Sequence, residues 1–84
     1  MMTLQEAKNL AIRQIIYHAY FPNADGSPQR WVVNGQVKTW KRDSNRVRVP
    51  VKRGLYEFGY LMEDNLHLFC LTEDEAVKGL EIIR

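Results

Sequence analysis

Residues 30–53 read RWVVNGQVKTWKRDSNRVRVPVKR, and the reading of this stretch decides the fold. Asn34-Gly35 stands between Trp31-Val32-Val33 and Gln36-Val37-Lys38. That is a strong hairpin signal, because both central residues of a type I′ turn need positive φ. Asp43-Ser44-Asn45 reads as the next turn. Val47, Val49 and Val51 then alternate with Arg46, Arg48 and Lys52, which puts valines on one face of a strand and cations on the other.

Working outward, Arg53-Gly54 supplies another turn, and Tyr56, Phe58, Tyr60 and Met62 alternate on a further strand. Glu63-Asp64-Asn65 turns the chain into a strand over residues 66–71. Closing each hairpin at these turns gives a register in which Val32 faces Val37, Thr39 faces Val49, Val51 faces Tyr56, Val49 faces Phe58 and Val47 faces Tyr60. All of these fall on one apolar face, since side chains alternate with period 2. Agreement among separate turns supports a five-stranded antiparallel meander.

Helices are expected at both ends. Thr3-Leu4-Gln5-Glu6 is a capping box, and Leu4, Ala7, Ala11, Ile15 and Ala19 recur at helical spacing as far as about Tyr20. Phe21-Pro22 stops that pattern, because the residue before proline avoids the α region. Residues 23–28 read as a loop. Thr72-Glu73-Asp74-Glu75 is a second capping box, with acids at the positive end of the helix dipole. Ala76, Val77, Leu80 and Ile83 form the apolar side of the last helix. The expected fold is therefore α+β, with an N-terminal and a C-terminal helix packed on one face of the sheet.

Eighty-four residues make one domain, and an apolar share of 45% with 26% charge argues against a disordered chain. The net charge of +2 conceals segregation. Residues 30–53 hold eight Lys and Arg against the single acid Asp43, a net +7, whereas residues 54–84 sum to −5. Such segregation creates local fields that the total hides.

Cys70 is the only cysteine, so an internal disulfide and a Cys-based zinc site are both excluded. A reducing, cytoplasmic setting is the simpler expectation. No signal-peptide pattern and no membrane-length apolar run occur. His18 and His67 lack ligand spacing and read as surface or helix-end histidines. Cys70 alternates onto the core face and reads as a small buried hydrophobe. No enzyme, cofactor or metal is expected.

The derived outer face gathers Trp31, Lys38, Trp40, Arg42, Arg46, Arg48 and Lys52 at one end, and Glu57, Leu61, His67 and Phe69 at the other. Phosphates attract Lys and Arg, and unpaired bases stack on aromatic rings. The expected partner is a single-stranded nucleic acid, with Trp40, Arg42, Arg46 and Arg48 at the centre of the site. No RRM, KH or zinc-finger pattern is present. The alternatives are a merely solvated sheet face and a protein-interaction or homodimer surface, for which Trp and Arg are preferred anchors.

Overall fold

A computed structural model describes residues 1–83. The class is the expected one, a small α+β fold built on an antiparallel sheet with two helices. The sheet has six strands rather than five. In chain order the elements are α1 (Leu4–Lys8), β1 (Ile15–Pro22), β2 (Pro28–Val33), β3 (Lys38–Trp40), β4 (Asp43–Arg53), β5 (Glu57–Met62), a 3₁₀ turn (Leu66–Leu68), β6 (Phe69–Cys70) and α2 (Glu73–Ile83).

The N-terminal capping box forms as expected: Thr3 Oγ1 accepts from the Glu6 amide at 3.1 Å, and Glu6 Oε1 accepts from the Thr3 amide at 2.9 Å. The helix it starts is short and ends at Lys8. Arg13 takes a φ of 75°, and the chain then enters β1. Residues 15–21 are rich in β-branched and aromatic side chains, which suit a strand that is paired on both edges. Apolar residues point to both faces of β1, and such a run cannot be told from a helix by periodicity. Pairing with β2 and β6 settles the matter.

Asn34-Gly35 is not a hairpin. β2 and β3 both run antiparallel to β4 along the same edge, with Val33 opposite Val51 and Lys38 opposite Arg48. Between these pairs the β2–β3 side carries two more residues than β4, so the chain bulges and continues in one direction. Pro50 explains the interruption. The Asn34 amide donates to the Pro50 carbonyl at 3.0 Å, but proline has no N–H to complete the reciprocal pair. Gly35 is required there by close approach to the proline ring.

The β3–β4 turn is Lys41-Arg42, closed by the pair Trp40 and Asp43, and not Asp43-Ser44-Asn45. The β4–β5 turn is a three-residue loop with Gly54 at φ 65°, closed by Arg53 opposite Glu57. The expected pairings were offset from these by an odd number of residues, which reverses the faces of β5. Val49 faces Leu61, and Val51 faces Gly59. Leu61 is fully buried, whereas Tyr56, Phe58 and Tyr60 are exposed.

The valine face is the core. Ile16, Val33, Val47, Val49, Val51 and Leu61 are buried on it beneath Ala7 and Leu10 of the α1 region and Leu66 and Phe69. Burying each large apolar side chain contributes about 1.5–3 kcal/mol. The second helix does not share this face. α2 packs Ala76 against Ala19 and Cys70, on the side to which Tyr17 and Ala19 point. The helices therefore sit on opposite faces. Cys70 is buried as expected, though against α2.

Candidate nucleic-acid interface

α2 covers the end of its face formed by β6, β1 and part of β2. Over β3, β4 and β5 the same face is open. The central row comes from β4: Arg46, Arg48, Pro50 and Lys52 alternate with the buried valines. The sorting expected for this strand is the one observed.

Aromatic rings flank the row on both sides. On the β3 side, Trp40 is half-buried and carries the Arg46 guanidinium 4.1 Å from its ring centroid, with Lys38 Nζ at 5.1 Å. On the β5 side, the Arg48 guanidinium lies 5.2 Å from the Tyr60 ring centroid. Cross-strand register sets Met62 beside Arg48, Tyr60 beside Pro50 and Phe58 beside Lys52. Phe58 is 66% exposed and Tyr60 55% exposed. Residues directly opposite on one face lie about 4.5–5.5 Å apart at Cβ, so cations and rings run as adjacent tracks.

The charges on this face are largely uncompensated. Arg46 meets Glu63, Nε to Oε1 at 3.8 Å. Backbone amides, its own and that of Val47, hold the Glu63 carboxyl below its ordinary pKa, with Arg46 adding to the effect. Among the described residues, no carboxylate pairs with Lys38, Arg48 or Lys52.

Five of the seven residues singled out in the sequence share this face: Lys38, Trp40, Arg46, Arg48 and Lys52. Arg42 lies in the β3–β4 turn at its edge and is exposed. Trp31 does not share the face. It stands opposite Ile16 on the core face, packed against the core and edge-on to Phe69 at 6.4 Å. Its Nε1 donates to Gln29 Oε1 at 3.2 Å, and Arg53 sits 5.9 Å from its ring. The sequence reading placed Trp31 outward because it took Asn34-Gly35 as a tight turn and Val32 as the inward residue.

Phe58 and Tyr60 are the members that reading missed. A signal for them was present: Arg53 and Glu57 are oppositely charged and close the hairpin, which makes the loop three residues long. Leu61 and Phe69, expected outside, are buried. Around β5 the exposed apolar side chains are instead Leu55, Tyr56, Phe58 and Tyr60.

His18 is a buried strand residue and not a helix-end one. Its Nδ1 accepts from the Tyr20 and Phe21 amides, each at 3.1 Å. Burial, with the nearby charge of Arg53, pushes its pKa down. The described residues contain no group of three or more His, Cys, Asp or Glu placed to hold a metal. No described helix is long and apolar enough to cross a membrane. Asn23, Asp25 and Ser27 form the β1–β2 turn, in which Asp25 Oδ1 accepts from the Ser27 amide at 3.0 Å.

No protein-family model matches this chain, and no curated protein or solved structure matches it either.

Proposed function

We propose that this chain is a small non-enzymatic domain that binds single-stranded nucleic acid on the open half of its α2-bearing face. One observation carries the reading. A row of cations on the open face of β4, of which Arg48 and Lys52 have no carboxylate partner among the described residues, is flanked on both sides by aromatic rings. Cations supply affinity through counterion release. Rings supply about 1–3 kcal/mol for each stacked base. A duplex offers no unpaired base to such rings, so the combination favours a single strand.

The direct test is binding of single-stranded and double-stranded oligonucleotides at two salt concentrations. Tight single-strand binding that weakens with salt is expected. Absence of binding at low salt overturns the reading. So does binding that is indifferent to Trp40→Ala combined with Arg48→Ala.

A second reading has its own observation. Leu55, Tyr56, Phe58 and Tyr60 form a cluster of exposed apolar side chains around edge strand β5, which suits a second copy or another protein. A stable dimer in sedimentation that buries Phe58 and Tyr60 favours this alternative.

A further inference from the structure

Pro50 breaks the cation row of β4, standing between Arg48 and Lys52 with no long side chain of its own. At that point a shallow cleft crosses the open face, lined by Asn34, Pro50, Val51, Phe58, Gly59 and Tyr60. Its floor is low because Pro50 has a short ring, while Val51 and Gly59, whose side-chain positions face the core, present only backbone to this face. Its walls are chemically distinct. On one side Phe58 presents a ring that is 66% exposed and has no cation or ring partner among the described residues. On the other side stands Asn34, an exposed residue whose side-chain amide makes no hydrogen bond among the described residues. The backbone of Asn34 is fixed, because its N–H is bonded to the Pro50 carbonyl at 3.0 Å.

An aromatic ring stacks on any base, and a carboxamide can donate and accept at once, the pattern that reads a base edge. Arg48 and Lys52 stand about 13 Å apart along the strand at 3.3 Å per residue. Their long side chains flank Pro50 on the strand and suit the phosphates of a single strand lying across it. By contrast, Trp40 has a cation already seated on its ring at 4.1 Å.

We infer that this cleft is a slot for one unpaired nucleobase, stacked on Phe58 and read by the Asn34 amide. The inference rests on the single-strand reading of the face, and it assigns that face a base-contacting centre and a specificity residue.

The test is fluorescence-anisotropy titration of the full chain at low salt with homopolymeric single strands and an abasic strand of equal charge. The wild-type protein should bind base-bearing strands several-fold more tightly than the abasic one. Phe58→Ala should weaken base-bearing strands by roughly 5- to 150-fold, the loss of one stacked base, and leave abasic binding unchanged. Asn34→Ala should compress the differences among homopolymers. If Phe58→Ala impairs folding, Phe58→Thr keeps strand preference while removing the ring and carries the same comparison. Equal binding of abasic and base-bearing strands overturns the slot but leaves the electrostatic interface standing. Wild-type affinities in both variants do the same. A wild-type protein that binds no strand overturns the interface reading and the slot together.

Discussion

Gly35 runs so close to Pro50 that a Cβ at position 35 would stand 2.8 Å from the proline Cγ and 3.2 Å from its Cβ. The contact holds the two-residue bulge against β4 and sets the register of β3, and hence the position of Trp40. Gly35→Ala is expected to destabilise the domain by about 1–3 kcal/mol through overpacking, because a proline ring cannot rotate away. For a chain of this size each kcal/mol lowers Tm by roughly 4–8 °C. Thermal denaturation of Gly35→Ala checks this, and an unchanged Tm would contradict the close approach.

The cations on β4 differ in their surroundings. Arg48 and Lys52 have no carboxylate partner among the described residues, whereas Arg46 shares Glu63 and the Trp40 ring. Removing a cation that contacts phosphate should reduce the slope of log K against log salt by about 0.7 for a single strand. Arg48→Gln and Lys52→Gln are each expected to do so. Arg46→Gln should cost less of the slope, since Glu63 already offsets its charge. Titrations at several salt concentrations measure all three.

His18 should make stability depend on acid. Its Nδ1 accepts two backbone N–H groups, so protonation would place a donor where an acceptor is needed. Burial lowers its pKa from the ordinary value near 6.5. The folded state therefore binds fewer protons than the unfolded state between 6.5 and the lowered value. Its contribution is full above the unfolded pKa and is lost as pH falls through the folded one. Tm should fall as pH drops from about 7.5 to about 5. His18→Asn offers a side-chain oxygen in place of Nδ1 and does not titrate. It should start from a lower Tm and show a shallower decline. Parallel slopes for the two proteins would refute the assignment.

Asn65 closes part of the free edge of β5. Its Oδ1 accepts from the Met62 amide at 2.7 Å, and its Nδ2 donates to the Tyr60 carbonyl at 3.0 Å. A side chain here occupies groups that another strand would otherwise seek, a common means of guarding an edge. Asn65→Ala is expected to raise self-association in proportion to protein concentration. It should also lower stability by about 0.5–1.5 kcal/mol for each lost hydrogen bond. Sedimentation velocity over a concentration series checks the first effect, and an unshifted sedimentation profile would count against it.

The sequence by itself determined the strand character of the basic middle, the inward valines and outward cations of β4, the capping box at Thr3 and the C-terminal helix. Each of these depends on neighbours within a few residues: period-two alternation, a side chain reaching its own backbone, or acids at a helix start. Five of the seven site residues followed from the alternation of β3 and β4 alone. Tertiary structure decided the rest. Residues 15–21 became a strand because β2 and β6 supplied partners for both edges, which no local pattern reveals. Asn34-Gly35 became a bulge because Pro50, on the neighbouring strand, has no N–H to return. Tyr60 and Phe58 joined the open face, and Leu61 the core, because one loop has three residues where a two-residue turn had been assumed. An odd shift reverses every side chain beyond it, so the aromatic flank of the β5 side depended on a count that only the folded hairpin fixes.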